Sequence, residues 1–335
     1  MKTKQQDSHY PLVFAATILL LAILTFLGFI SGASSVSLQD VLAWATGQPV
    51  SNTTESIIVN IRLPRVLAAL LAGAALAVSG AIIQSVLDNP LASPNILGIN
   101  SGAGLAVLLA ASLLPQMLWV IPLAAFAGAV LTALIIFGIA AGSQTSKLTV
   151  ILAGIAITTV FGAGMNTILI VNPDAYVGSA TFLVGGLSGV LLKDIIWPGI
   201  YIVIGMLIAL TFGARLNIMA LGDQSAHSLG IKVGRTRLLM LGLASILAGA
   251  AVSFSGLLGF VGLIVPHIMR FFVGYDNRKI IPLSIFAGAA FVVGCDLVAR
   301  TMFAPYELPV GILMAFLGGP FFIYLILRNR KGKLV

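Results

Sequence analysis

Three arginines stand where basic side chains are otherwise rare. Arg62 and Arg65 flank Leu63-Pro64 just ahead of a long apolar run, and Arg300 lies near the end of another. A guanidinium is a planar fork that bonds carboxylates two-fold, so such a group reads as a docking site for an acidic partner. Anchoring to lipid headgroups is the plainer alternative. Asp296 precedes Arg300 by four residues, which puts the two on one helical face where they can pair. For Arg300 the internal pair and the docking contact both stay open. On the docking reading, reversing Arg62 and Arg300 to glutamate abolishes whatever activity depends on that partner and leaves expression intact.

A second group lies in LNIMALGDQSAHSLGIK, residues 216–232. Leu216, Ala220, Leu221, Ala226 and Leu229 alternate with polar residues such as Asp223, and Gly222 and Gly230 bracket the stretch. A solvated loop would not need so many apolar side chains. A pair of short amphipathic helices offered to a cytoplasmic partner fits better. Prolines mark a third group: Pro90 and Pro94 in NPLASP, and Pro266 followed by His267. Proline lacks a backbone donor and bends helices, and lipid tolerates this only where protein satisfies the freed groups. These positions are candidate helix breaks or gates, and His267 could titrate or simply pack.

Catalytic patterns are sparse. The chain has no GxxxxGK[ST] phosphate loop and no HExxH, and its single cysteine, Cys295, excludes a disulfide framework and CxxC metal spacing. Cys295 reads as a packing residue. Gly186-Leu187-Ser188-Gly189 matches the GxSG of intramembrane serine proteases, but no histidine falls at that depth to act as base. The expectation is a chain that is not an enzyme and binds no metal or cofactor of its own.

The elements behind these groups follow from solvent. Of 335 residues, 59% are hydrophobic and 8% are charged, against roughly 25% charged in soluble chains. Lipid must therefore be the main solvent. The net charge of +8 does not signal nucleic-acid binding, because the cations sit between apolar runs rather than on one face. Runs able to cross a bilayer lie at 11–33, 64–86, 95–113, 117–140, 148–171, 194–213, 236–257, 258–274, 281–303 and 308–327. The eighth is short and interrupted by Pro266. The first exceeds a signal-peptide core and reads as an uncleaved helix.

An all-α polytopic membrane protein of about ten transmembrane helices is expected, as one domain over 1–335. With both ends cytoplasmic, 14 of the 18 Lys and Arg fall inside and only Arg62, Arg65, Lys193 and Arg300 outside, as the positive-inside bias demands. Segments 34–60 and 172–193 then face outward, and 214–235 faces the cytoplasm. AGAALAVSG (72–80) and AGAAVSFSG (248–256) align at an offset of 176, and the register continues to pair Pro90 with Pro266 and Gly98 with Gly274. The two copies run in opposite directions, an inverted internal repeat of the kind that supports alternating access. A self-sufficient secondary transporter shares that architecture but needs ionisable groups at mid-membrane, where Asp296 is the main candidate.

RLPRVLAALLAGAALAVSGAIIQSVLDNPLASPNILGINSGAG (62–104), LNIMALGDQSAHSLGIKV (216–233), GFVGLIVPHIMRFFVG (259–274) and DLVARTMFAPYELPVGILMAFLGGPFFIYLILR (296–328) resemble permease subunits of the FecCD type. These are membrane components of ABC importers for iron–siderophore complexes, haem and vitamin B12. The resemblance runs from Arg62 onward, whereas the first sixty residues match only in hydropathy. It implies a ten-helix inner-membrane subunit paired with itself or a paralogue. Two cytoplasmic ATPases, which carry the ATP and Mg, would grip the connection near Leu216–Gly230 (coupling segment 214–235). An extracytoplasmic binding protein would deliver the chelate to Arg62, Arg65 and Arg300. A ferric siderophore is the expected cargo.

Overall fold

The computed structural model describes residues 2–32, 36–141, 147–304 and 306–330. Lys331 and Lys333, counted above among the inner cations, lie outside the described residues. Among those described, every regular element is helical. The first is α1 (Lys2–Ile30), followed by the short α2 (Leu38–Ala45) and α3 (Asn52–Ile57). A π-helical turn, Ile58–Arg62, leads into α4 (Leu63–Leu87). Then come α5 (Ile99–Leu113), α6 (Val120–Ala141), α7 (Lys147–Val171), α8 (Asp174–Val184) and α9 (Leu192–Thr211). The chain ends with α10 (Gly213–Met219), α11 (Asp223–Ser228), α12 (Val233–Ser255), α13 (Val261–Val273), α14 (Asn277–Thr301) and α15 (Val310–Arg330).

Eight described helices are long and apolar enough to cross a membrane, and α5 and α13 are shorter apolar helices. Together they fall on the ten apolar runs. Two boundaries differ from the sequence reading. The second span begins near Asn52, because α3, the π turn and α4 form one rod of 36 residues. Ser51 starts it by accepting from Thr54 N at 3.1 Å, the usual role of a serine N-cap. The eighth helix is not broken at Pro266, which lies inside α13; the break is the segment 256–260 before it.

α4 occupies the centre, with α9, α12, α13 and α14 packed around it. Its Ala- and Gly-rich sequence is apolar on all sides, as a surrounded helix requires, and small residues let neighbours come close. Gly80 shows the need: a Cβ there would stand 1.9 Å from the Gly262 carbonyl oxygen. Peripheral helices show the reverse, with Leu134, Ile155, Val160, Ile204, Leu207 and Phe316 exposed on surfaces suited to lipid.

Contacts sort the molecule into two ends. At one, Gly28 of α1, Arg65 of α4 and Arg300 of α14 meet. At the other, Tyr10 lies by Lys279, Ser85 by Asn277, and Gly213 by Arg278. Hence α4 runs antiparallel to α1 and α14. The connection 213–232 lies at the end opposite the three arginines, as the charge reading requires of sidedness.

α5 and α13 are half-helices. At 15 and 13 residues they reach only about 20 Å, short of the roughly 30 Å hydrocarbon core. After α4 the chain turns back into the bundle, so Ile96 and Leu97 abut Gly154 and Ser101 lies beside Thr158 inside α7. From there α5 climbs to the arginine end, where Asn172 Nδ2 bonds Ser112. α13 starts beside Gly80 and descends the other way, placing Arg270 against Ser85. The repeat is thus inverted, with α4–α5 answered by α12–α13. Its ungapped register, however, stops at the ninth residue. α4 continues helically through Gly80 to Leu87, whereas α12 ends at Gly256, whose φ is +69°. Pro90 therefore lies in a turn and Pro266 in a helix, and Gly98 starts α5 whereas Gly274 ends α13. The pairings of Pro90 with Pro266 and Gly98 with Gly274 do not hold.

Candidate functional site

At the first end the three arginines form a clamp rather than an open cationic patch. Arg62, Arg65 and Arg300 are only 2%, 7% and 3% exposed. Arg65 holds both carboxylate oxygens of Asp296 through Nε and Nη2 at 2.9–3.0 Å, and its Nη1 reaches Glu307 at 2.7 Å. Arg300 Nε lies 3.6 Å from Asp296, so the i,i+4 pair exists but is the looser one. Arg62 donates to the carbonyls of Phe29 and Ile30, and Arg300 Nη2 donates to Gly28 O at 2.7 Å. These carbonyls belong to the last turn of α1, which lacks helical donors and carries the negative end of the helix dipole. Two cations therefore fasten α1 to α4 and α14.

The expectation of exposed forks fails because the neutralising carboxylates lie 231 and 242 residues away in sequence. Glu307, the more exposed of the two, escaped the sequence reading. Its signal was that it is the only carboxylate in the connection between α14 and α15. Asp296 is fully engaged here, which leaves it unsuited to carrying a coupling ion.

The opposite end carries the helix pair foreseen in 214–235, now α10 and α11. Leu216, Met219 and Ala226 are buried and seat the pair on the body. Ala220, Leu221, Asp223, Leu229 and Gly230 are exposed, with Leu221 and Leu229 offering 63% and 60% of their surface. Gly222 and Gly230 adopt φ of +95° and +82°, turning the chain before and after α11. Asp223 pairs with Arg237 of α12 at 2.6 Å. Asn217 of α10 donates to Asp276 at 2.6 Å and accepts from Asn277 N at 2.7 Å. Burial pushes the Asp276 pKa up, but hydrogen bonds from Arg278 and Asn217 prevail and hold its carboxyl below the ordinary value.

Between the ends, the two helix breaks meet. Pro94 and Asn95 of one loop face Leu258 and Phe260 of the other, with Gly262 of α13, around a small crevice, and Asn100 Nδ2 donates to Leu258 O at 3.3 Å. The first loop satisfies its own backbone: Ile96 N bonds Ser93 O and Gly98 N bonds Asn95 O, each at 3.0 Å. This is what irregular backbone at membrane depth must do. Of the predicted break residues, Pro94 lies at this junction, Pro266 sits about one turn into α13, and Pro90 lies in the turn just after α4. His267 packs edge-on against Phe321 of α15, ring centroids 5.8 Å apart.

The remaining candidates fall away from chemistry. Ser188 lies in an exposed turn between α8 and α9. Among the described residues, no group of three or more His, Cys, Asp or Glu could hold a metal ion. Cys295 is buried in α14 and lines an apolar groove of about 550 Å³ between α1, α13, α14 and α15. Gln84, Asn277 and Asn217 also escaped the sequence reading. An amide such as Gln84 inside an otherwise apolar span was a usable signal, since such groups are expensive in lipid.

Comparison with known proteins matches this geometry to one group. The model of the FecCD transport family covers residues 20–328. The hemin transport system permease protein HmuU of Yersinia pestis is 37% identical over 96% of this chain and 98% of its own. The iron(3+)-hydroxamate import system permease protein FhuB of Bacillus subtilis is 38% identical over 96% of this chain and 84% of its own. The cobalamin import system permease protein BtuC of Halobacterium salinarum is 40% identical over 85% of this chain and 76% of its own. An inward-facing structure of an ABC transporter assigned to the metal-chelate type superposes with a TM-score of 0.84 at 28% identity, covering 95% of this chain and 99% of that one.

Proposed function

Because the chain belongs to the FecCD transport family, a multi-pass permease of ABC importers, we propose that it carries a ferric siderophore, or a related metal chelate, inward across the cytoplasmic membrane. The observation that carries the transport reading is the meeting of oppositely directed half-helices, α5 and α13, at their broken starts inside the bundle. Such junctions give two packed halves a place to rock against each other. An iron-hydroxamate permease stands among the relatives, beside hemin and cobalamin permeases of similar identity.

The permease works with partners. A second copy, or a paralogue, completes the pathway. Two ATPases, which hold the ATP and its Mg, seat on α10 and α11, where Leu221 and Leu229 project as apolar anchors. That end and the termini face the cytoplasm. The extracytoplasmic binding protein docks at the arginine end, where Arg62, Arg65 and Arg300 act from beneath the surface by holding α1, α4 and α14 in one rigid face. ATP-driven closure of the ATPases moves the helix pair and so alternates access. No cofactor belongs to this chain.

Reconstitution with an ATPase and a binding protein in liposomes tests the reading. Uptake of ⁵⁵Fe-loaded hydroxamate siderophore that depends on ATP and on the binding protein is expected. Uptake of haem or cobalamin in its place would move the cargo within the family. Transport by this chain alone, driven by an ion gradient, would defeat the proposal.

A further inference from the structure

Pro266 leaves a debt inside α13. It has no N–H, so the carbonyl four residues earlier, Gly262 O, loses its helical donor. Gln84 of α4 supplies one: its Nε2 donates to Gly262 O at 3.0 Å. Gly80, one turn earlier on α4, makes the approach possible by having no Cβ to meet the same oxygen. The other side of the amide is also used, since Gln84 Oε1 accepts from Arg270 Nη1 two turns further along α13. One side chain thus holds both the proline-opened turn and the arginine beyond it.

The hydrogen bonds continue outward. Arg270 Nη2 lies 3.3 Å from Ser85 Oγ, which donates to Asn277 Oδ1 at 2.7 Å, at the start of α14. Asn277 N then bonds Asn217 Oδ1 of α10. Gln84, Ser85, Arg270 and Asn277 are all at least nine-tenths buried. In such surroundings a partner that moves away leaves a polar group unsatisfied, so the members of the chain shift together or break at a cost.

We propose that this chain, from Asn217 through Asn277, Ser85 and Arg270 to Gln84 and the Gly262 carbonyl, is the linkage that passes displacement of the α10–α11 pair to the half-helix α13. Gln84 and Asn277 are its positioning residues, and Pro266 provides the yielding turn on which it pulls. The inference rests on the reading that ATPases act on α10 and α11.

The test combines stability with coupling. Pro266→Ala returns a backbone donor to Gly262 O, so Gln84→Leu should lower thermal stability in detergent markedly in the wild-type background and by a smaller amount beside Pro266→Ala, the remainder being the partner that Arg270 Nη1 loses in both backgrounds. In reconstituted transporter, Gln84→Leu and Asn277→Ala should each cut substrate imported per ATP hydrolysed by at least about fivefold, the scale of a coupling between sites. Together they should do no worse than the more severe single change. Gln84→Leu with Pro266→Ala should regain part of the stability yet stay as uncoupled as Gln84→Leu alone, an outcome a merely structural role would not give. An undiminished effect of Gln84→Leu beside Pro266→Ala, or coupling losses that multiply, overturns the linkage. Wild-type protein that binds no ATPase overturns the importer reading and the linkage with it. Wild-type import with fully coupled Gln84→Leu protein overturns the linkage alone.

Discussion

Replacing Asp296 by alanine removes the carboxylate that Arg65 grips at 2.9–3.0 Å and that lies 3.6 Å from Arg300. The Arg65 and Asp296 side chains are 8% and 3% exposed, so neither arginine can turn to water for compensation. Removing one partner of a buried pair costs about 3–5 kcal/mol. Glu307 stays 2.7 Å from Arg65 Nη1 with 28% of its side chain open and keeps part of the charge balanced. The lower end of that range is therefore expected, about 3 kcal/mol, or roughly a hundredfold in the folding equilibrium. Unfolding in mixed micelles, followed by tryptophan fluorescence, measures it. Glu307→Gln, which disturbs only a wet pair, should cost no more than about 1 kcal/mol. Asp296→Ala protein as stable as Glu307→Gln protein would refute the clamp. The same geometry revises the sequence-based expectation for Arg62→Glu with Arg300→Glu. That reversal sets two carboxylates against the Gly28, Phe29 and Ile30 carbonyls, so folded protein should be lost along with docking.

Three further outcomes are expected. Gly80→Leu should abolish folded, monodisperse protein on size-exclusion chromatography, because its Cβ alone would stand 1.9 Å from Gly262 O; normal yield would mean α4 and α13 do not pack that closely. Gly230→Trp meets nothing within 4 Å but imposes a side chain on φ +82°, a strain of about 1–2 kcal/mol; the permease should still insert, and ATPase binding or coupling should fail, whereas normal uptake would clear this turn of any role. After replacement of Cys295, a membrane-impermeant thiol reagent on intact cells should reach a cysteine at Asn52 and not one at Asp223. The opposite pattern would invert the assigned orientation.

Membrane residence, the positions of the ten apolar helices and the amphipathic pair at 214–235 were legible in the sequence alone. In lipid each span must satisfy its own backbone and clothe itself in apolar side chains, so a span's evidence is local and survives in composition. The motifs from Arg62 onward carried the family for the same reason, being contiguous. What the sequence could not hold was depth and rotation. The 256–260 break, which moves Pro266 into a helix and ends the repeat register at Gly256, follows from how α12 meets α8, with Leu257 N bonding Phe182 O. The arginines looked like surplus outer charge because Asp296 and Glu307 reach Arg65 only once α4 and α14 lie antiparallel. Gln84 finds Gly262 O only because Gly80 lets α13 approach α4. Such pairings join residues hundreds of positions apart through helix faces that hydropathy leaves equivalent, and tertiary packing chooses among those faces.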